Sequence, residues 1–392
     1  MNAPLFGAES PGAPPPFARE LDLRGIEDAL WPHFPEAPKN LALSISVALY
    51  REAALTPQEM IARAGIGRRR LPKVEAAMRL GSLLELKREV RSERDGSRRL
   101  VLSVNRIGNL VEAVTIPRRD DLVLCVSSQS GCALACAFCA TGFLGLHGNL
   151  TPGEIVEQQA WAQRAAGRRV TDVTFMGMGE PLLNYDAVIA AANRLTAREG
   201  AQISPRRIVI STAGIAPRIR QYAREKHPFQ LFFSLPSAIP EKRLRLMPIE
   251  ARYPLPELID AIREYQRSRR RNRLVTFEYV TIPGENMGAE DIEALGKLIE
   301  GIPSILNVIP YNATSARFRP PTWAEVKSFT TALRSLRIPI KVRYSGGKTI
   351  AAGCGQLAAD CVTLPAGGGH MEAPPGIFSD LEGRGEAASQ LP

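Results

Sequence analysis

Cys132, Cys136 and Cys139 stand at the spacing Cys-x-x-x-Cys-x-x-Cys, which places three thiols within eight residues. Thiols so close together can converge on one ion or one cluster. A structural zinc site closes with four ligands, commonly two Cys-x-x-Cys pairs. Three thiolates instead suit a cubane 4Fe–4S cluster that leaves one iron open to an exogenous ligand, and chemistry could begin at that iron. The bland alternative takes the three as small buried hydrophobes. Their spacing argues against it.

The elements that would position these thiols can be read around them. The apolar run Leu122-Val-Leu-Cys-Val-Ser127 precedes a loop rich in Gly and Ala, as in the turn that leaves the first strand of an α/β sheet or barrel. Further β-rich runs follow at Val170–Met176, Arg207–Ser211, Gln230–Leu235, Leu274–Val280 and Leu306–Ile309, with one more at Ile338–Val342. Helical patterns separate them, one opened by the capping box Thr151-Pro-Gly-Glu154. Six strands with intervening helices predict the α/β class and, by connection handedness, a parallel sheet curled into a partial (β/α)6 barrel. Active sites of such barrels gather at the carboxyl ends of the strands. Gly177-Met-Gly-Glu-Pro181, Ser211-Thr-Ala-Gly214, Ser234-Leu235-Pro236 and Pro310-Tyr-Asn312 all fall there. As a set they predict one ligand-binding rim. Gly179 would let the backbone approach a ligand, Glu180 would pair with an amino group, and Ser211 and Asn312 would bond a carboxylate or ribose. Strand-end turns and helix caps are the structural alternative for each residue taken singly.

Residues 1–18 are rich in Pro, Ala and Gly and read as unstructured. Residues 19–118 read as an accessory, RNA-binding module. It is helical from Leu21 to about Leu86, with amphipathic stretches over Gly25–Phe34 and Leu41–Ala54 and a third opened by the capping box Thr56-Pro-Gln-Glu59. A β-hairpin over Arg98–Asn105 and Asn109–Ile116 ends it. Residues 119–362 form the barrel, and 363–392 a flexible tail. The net charge of +10 and the pI of about 9.5 suit a protein that meets a polyanion. Basic residues concentrate in Arg68-Arg69-Arg70, in Lys87 to Arg99, and in Arg267 with Arg269-Arg270-Arg271, all read as turns or helix ends. No apolar run reaches the roughly 18 residues of a membrane span. The first residues lack the order of a signal peptide, so a cytoplasmic protein is expected. Clustered thiols agree with a reducing compartment.

From about Leu21 to Asp360 the chain resembles the RlmN and Cfr family of radical S-adenosylmethionine (SAM) RNA methyltransferases, and the RlmN branch most. The resemblance rests on Cys125-Val-Ser-Ser-Gln-Ser-Gly-Cys-Ala-Leu-Ala-Cys-Ala-Phe-Cys139, Gly177-Met-Gly-Glu-Pro-Leu-Leu-Asn184, Leu246-Met-Pro-Ile249, Tyr253-Pro-Leu-Pro-Glu-Leu258, Ile309-Pro-Tyr-Asn312 and Cys354-Gly-Gln-Leu357. It implies methylation of adenosine C2 in 23S ribosomal RNA, with transfer RNA as a further substrate. It also implies a 4Fe–4S cluster on the three cysteines, two SAM molecules per turnover, a flavodoxin-like or ferredoxin-like electron donor, and a monomer with no membrane partner. Cys354 would carry a methyl group, Cys125 would resolve the protein–RNA thioether as a disulfide to Cys354 forms, and Glu112 would be the base. Cys361 has no counterpart in the motif and reads as structural.

Local features depart from the family. Ser234-Leu-Pro-Ser237 stands where the family usually carries Ser-Leu-His-Ala, which removes a histidine and a backbone donor at the SAM pocket. Lys348-Thr-Ile-Ala-Ala-Gly-Cys354 replaces two acidic residues followed by Ile-x-Ala-Ala-Cys, so the local charge reverses and Gly353 is expected to loosen the loop. Two other readings stay open on the sequence. One is the same chemistry directed at adenine C8 or another substrate. The other is a non-catalytic, metal-stabilised RNA-binding protein.

Overall fold

The computed structural model describes residues 14–36, 38–269, 274–315 and 317–357. Residues 1–13, Arg270 and Arg271 of the third basic run, Cys361 and the expected tail 363–392 lie outside the described residues.

Four short helices open the described chain: α1 (Leu23–Leu30), α2 (Pro38–Ser46), α3 (Pro57–Ala64) and α4 (Leu71–Ala77). Their ends follow local chemistry. Asp22 caps α1 by accepting from Gly25 N, and Thr56 and Glu59 complete the predicted capping box of α3. Arg68, Arg69 and Arg70 lie exposed in the turn before α4. Two expectations fail at the edges of this module. Phe17 and Ala18, placed in the unstructured stretch, are held: Phe17 bridges to Arg79, whose guanidinium covers the Phe17 ring, and Ala18 is buried. The helical pattern also stops short of Leu86. Leu84-Glu-Leu-Lys-Arg-Glu-Val-Arg91 is a strand, β1, because long charged side chains alternate there with apolar ones. The run Lys87 to Arg99 therefore lies on β1, on a turn and on the start of β2 (Arg98–Val104), not at helix ends.

β1 pairs antiparallel with β2, β2 with β3 (Asn109–Arg118) and β3 with β4 (Asp121–Cys125), setting Val114 opposite Cys125. The hairpin thus has a third strand and runs without a break into the barrel sheet. From β4 onward the pairing is parallel, through β7 (Asp172–Phe175), β8 (Ile208–Thr212), β9 (Gln230–Ser234), β10 (Val275–Thr281), β11 (Ser304–Pro310) and β12 (Ile340–Val342). One sheet of ten strands results, in the order β1-β2-β3-β4-β7-β8-β9-β10-β11-β12. β5 (Gln129–Gly131) and β6 (Leu146–Asn149) form a separate ribbon. The crossovers carry α5 (Pro152–Ala166), α6 (Tyr185–Thr196), α7 (Ala216–Glu225), α8 (Pro240–Leu246), α9 (Leu255–Ser268), α10 (Ala289–Leu298) and α11 (Trp323–Ala332). The six predicted parallel strands and the further seventh are all present. The chain has the expected α/β architecture, a partial barrel with a mostly parallel sheet.

Strand periodicity sorts the barrel side chains into two sets. Leu124, Ile210 and Phe233 join the apolar core, while their neighbours Cys125, Ser211 and Ser234 line cavities. Among the described residues no helix is long and apolar enough to cross a membrane.

The helical module is joined to the barrel by a buried ion pair. Arg19 Nε stands 3.0 Å from Glu157 Oε2 on α5, both fully buried, although that N–H is not aimed at the oxygen. Arg19 also donates to Leu49 O at 3.0 Å and to Ala54 O, and Glu157 accepts from Leu83 N at 2.9 Å and Leu84 N at 3.0 Å. Removing one partner would leave the other charge buried and uncompensated, at about 3–5 kcal/mol. Glu157→Ala is therefore expected to lower the thermal midpoint by several degrees in calorimetry. The double variant Arg19→Met/Glu157→Leu should recover only part of the loss, because it removes the unpaired charge but leaves Leu49 O, Ala54 O, Leu83 N and Leu84 N without their partners.

Candidate active site

The three cysteines sit on the excursion between β5 and β6. Glycine at 131, with φ +74°, lets β5 run straight into the loop, and Cys132 N donates to Gly145 O at 2.8 Å to close it. Ala137 N is bonded to Leu246 O at 3.0 Å and Thr314 Oγ1 to Phe138 O at 3.2 Å. Two further bonds tie the loop to the segment bearing Cys354: Ala140 N to Gly355 O at 2.7 Å and Thr141 Oγ1 to Leu357 O at 3.0 Å. Cys132, Cys136 and Cys139 face one cavity of about 170 Å³. Burial pushes the Cys132 thiol up to about 12, the Cys136 thiol well above the ordinary value, and the Cys139 thiol in the same direction.

Gly179, Glu180, Ser211, Ser234 and Asn312 line this cavity with the cysteines, together with Phe138, Val280 and Ile309. Gly179 has φ +97°, and a Cβ there would stand 2.6 Å from the Gln129 side chain, so packing against β5 already demands glycine. The Glu180 carboxylate lines the cavity with three of its acceptor positions already in use. It accepts from Ala213 N at 2.8 Å, Leu182 N at 2.9 Å and Thr212 Oγ1 at 2.7 Å, and burial pushes its pKa up to about 7. Ser211 Oγ donates to Glu278 Oε2 at 2.6 Å. Asn312 Nδ2 donates to Ser345 Oγ and to Cys354 O, both at 3.0 Å, whereas its buried Oδ1 has no partner. That oxygen is an acceptor left without a partner on a residue that lines the cavity.

Cys354 lines this cavity and also a smaller one shared with Cys125, Arg118, Thr174, Met176, Arg343 and Tyr344. The chain thus brings together all five cysteines that the sequence singled out. Burial, and next to it Cys354, push the Cys125 thiol up to about 12. Arg343 Nη1 stands 3.2 Å from Glu278 Oε1 and 3.3 Å from Met176 Sδ. Burial works against the Arg343 charge, yet Cys354 and Glu278 outweigh it and hold its pKa above the ordinary arginine value. Arg343 and Glu278 were missed on the sequence. Both lie in or just after a parallel strand, so the strand-end rule could have found Arg343.

Other expected site residues are placed elsewhere. Glu112, on β3, is fully buried, stands 3.5 Å from Arg99 Nη1 and lines neither cavity. Leu235 packs into the core and Pro236 O accepts from Asn286 Nδ2 at 2.7 Å, so neither lines the cavities. Proline lacks the N–H the family position offers, and here its carbonyl is the group in use. Gly353 does not loosen its loop. Gly353 N donates to Gln356 Oε1 at 3.0 Å, and a Cβ would stand 2.8 Å from Asn312 Nδ2.

These residues fit a 4Fe–4S cluster, which the three cysteines would hold, with SAM in the same cavity. Three thiols whose neutral forms burial favours would become thiolates only beside strong positive charge, which iron supplies. Among the described residues no three His, Cys, Asp or Glu side chains converge on one ion-sized point. Thiolates on separate corners of a cubane need not converge so, because each binds its own iron. The orphaned Asn312 Oδ1 adds a ready acceptor for a donor on the ligand.

Comparisons with known proteins agree with this geometry. Residues 126–299 match the Radical SAM superfamily. A probable RNA methyltransferase of Myxococcus xanthus is 42% identical over 342 residues, covering 87% of this chain and 94% of the relative. The dual-specificity RNA methyltransferase RlmN of Syntrophobacter fumaroxidans is 42% identical over 291 residues, covering 74% of this chain and 83% of the relative. A crystal structure of a radical SAM methyltransferase from Sphaerobacter thermophilus superposes with a TM-score of 0.80 at 37% identity, covering 88% of this chain and 100% of that one. A cysteine-lined cavity at the carboxyl end of a partial barrel, with relatives of this kind along most of its length, places the chain in the family of RlmN-type radical SAM RNA methyltransferases.

Proposed function

We propose that this enzyme methylates C2 of an adenosine in 23S ribosomal RNA, with transfer RNA as a second substrate, by way of a methylated Cys354. The observation that carries the proposal is the meeting of Cys354 and Cys125 on one cavity wall, with Cys354 also facing the cluster cysteines. An amidine carbon such as adenine C2 is electrophilic and a poor acceptor of a methyl cation. The bound cluster and SAM supply radical chemistry in place of that transfer, and the proposal uses two SAM molecules per turnover.

Within this reading Cys132, Cys136 and Cys139 hold the cluster. The Asn312 Oδ1 acceptor and the polar atoms of Ser211 and Ser234 orient SAM, while Phe138, Val280 and Ile309 keep the cavity dry. Cys354 carries the methyl group as a thioether. Its segment is fixed by Asn312 Nδ2 on the Cys354 carbonyl and by Ser345 Oγ at 3.3 Å from Cys354 N. Once the Cys354 methylene is bonded to the adenine, Cys125, a neutral thiol until then, attacks the Cys354 sulfur: the S–S bond forms as the sulfur–carbon bond breaks, and the released carbon takes up the Cys125 proton, which leaves a methyl group on the base and a disulfide between the two cysteines. Reduction of that disulfide, and of the cluster, calls for a flavodoxin-like or ferredoxin-like donor acting on a monomeric enzyme. Glu112 stands 3.5 Å from Arg99 Nη1 and lines neither cavity, so no proton transfer is assigned to it. Glu278, beside Ser211 and Arg343, is a carboxylate that does line the SAM cavity.

The test is anaerobic turnover of reconstituted protein with a one-electron reductant, methyl-labelled SAM and 23S ribosomal RNA from cells lacking the modification, read by nucleoside mass spectrometry. 2-Methyladenosine is expected, and it should vanish in Cys354→Ala and in Cys139→Ala, with iron content falling in the second alone. An 8-methyladenosine product would move the target carbon. Catalytic methylation by Cys354→Ala would sink the mechanism.

Gly353→Ala gives a finer check. It restores the alanine usual in the family but sets a Cβ against Asn312 Nδ2, and reacting groups displaced by about 1 Å lose roughly a hundredfold in rate. Methylation is expected to fall between ten- and a hundredfold with iron content unchanged, and wild-type turnover would contradict the packing argument.

A further inference from the structure

Large aromatic side chains are seldom left in water, and among the described residues the exposed ones are Trp31, Trp323 and Tyr344. Trp31 stands alone in the helical module. The other two face each other. Trp323 opens α11 and is 68% exposed, Tyr344 follows β12 and is 46% exposed, and their ring centroids are 5.9 Å apart with planes inclined by 35°. Tyr344 also lines the cavity that holds Cys125 and Cys354, so the pair forms a step from solvent to the methyl-carrying thiol.

Positive charge surrounds this step. Lys348 Nζ lies 5.6 Å from the Tyr344 ring centroid. Arg118 lines the same cavity mouth, and Arg94 is close enough to Lys348 to oppose its charge. Among the described residues neither Arg94 nor Arg118 has an ion-pair partner. The acidic Asp95 beside Arg94 is turned inward, its Oδ2 accepting from Gly347 N at 2.8 Å. Unpaired cations around exposed rings are what single-stranded nucleic acid recognises: bases stack on the π-faces and phosphates meet the charges. Lys348 occupies a position where the resembling family shows acidic residues, which makes this arrangement a feature of this chain.

We propose that Trp323 and Tyr344 are the stacking platform for an unpaired nucleobase next to the target adenosine, with Lys348, Arg94 and Arg118 taking the adjoining phosphates. The proposal rests on RNA being the substrate. An enzyme that acts on one base must hold its neighbours out of a duplex, and a platform at the cavity mouth would do so.

The experiment titrates reconstituted protein with a short single-stranded RNA containing unpaired adenines, and follows tryptophan fluorescence and anisotropy without reductant. Saturable quenching is expected, absent in Trp323→Phe. Trp323→Ala and Tyr344→Ala should each weaken binding about five- to a hundredfold, Tyr344→Phe should restore it, and Trp31→Ala should bind as wild type. Lys348→Ala should flatten the salt dependence by about one unit of slope. Cluster absorbance and the melting temperature verify that each variant is folded. Unchanged affinity in both alanine variants, or equal binding of the same sequence as a duplex, would overturn the platform. Quenching by an acidic flavodoxin in place of RNA would assign the surface to the electron donor and likewise overturn it. Because binding is read without turnover, ring-dependent binding of an RNA that is never methylated would leave the platform standing and remove the proposed reaction. Methylation with unaffected ring variants would do the reverse.

Discussion

The bond from Ala140 N to Gly355 O, 2.7 Å long, joins the two loops on which the chemistry depends. One loop carries the three cluster cysteines and the other carries Cys354, more than two hundred residues later in the chain. Neither loop is a regular element, and each would be free to wander on its own. Thr141 on Leu357 O, Thr314 on Phe138 O and Asn312 on Cys354 O repeat the tie from other directions. The first bond is main chain to main chain, and the other three need the Thr141, Thr314 and Asn312 side chains. The placement of Cys354 against the cluster cysteines is therefore set by the main chain and these three side chains together.

The same economy governs the sheet. Because β3 is antiparallel to β4, the first barrel strand has a partner on either side and exposes no edge. Cys125, at the end of β4, is fixed by Val114 across one ladder and Thr174 across the other. The Arg19–Glu157 pair then locks the helical module to α5, which also lies across β1, β2 and β3. Through the Ser92–Ser97 turn this module reaches the Cys354 loop as well, with Asp95 on Gly347 N and Ser92 Oγ 2.9 Å from Thr349 Oγ1. A charge at 157 thus bears on the placement of a thiol far along the chain.

The parallel strands were legible because their apolar runs are short, β-branched and punctuated, and the cluster was legible because thiol spacing is chemistry in itself. What failed did so for physical reasons. β1 alternates apolar residues with long charged ones, and its arginines and lysine mimic a solvated helix end. The donors that share the Glu180 oxygens, from Ala213, Leu182 and Thr212, are not visible in its motif. Glu278 and Arg343 could not be paired on paper, since they are 65 residues apart and meet only once β10, β11 and β12 are laid side by side. Motif matching placed Leu235 and Pro236 at the rim, but a proline carbonyl held by Asn286 turns that segment away.

The departures from the family then take on different meanings. Pro236 lies outside both cavities and bonds within a network in which Asn286 also receives Ile282 N at 2.7 Å, so its effect falls on the loop after β10. Gly353 and Lys348 lie on the Cys354 loop itself. Gly353 permits the close approach of Asn312, while Lys348 lies over Tyr344 at the cavity mouth. Interior residues that generate reactivity keep the family's pattern, and the change is concentrated where a substrate would enter. A chain that diverges in this way alters what reaches the thiol more readily than what the thiol does, because the ladder bonds around Cys125 and the Ala140–Gly355 bond of the cluster loop are untouched, and Gly353 leaves room for the Asn312 bond to Cys354 O.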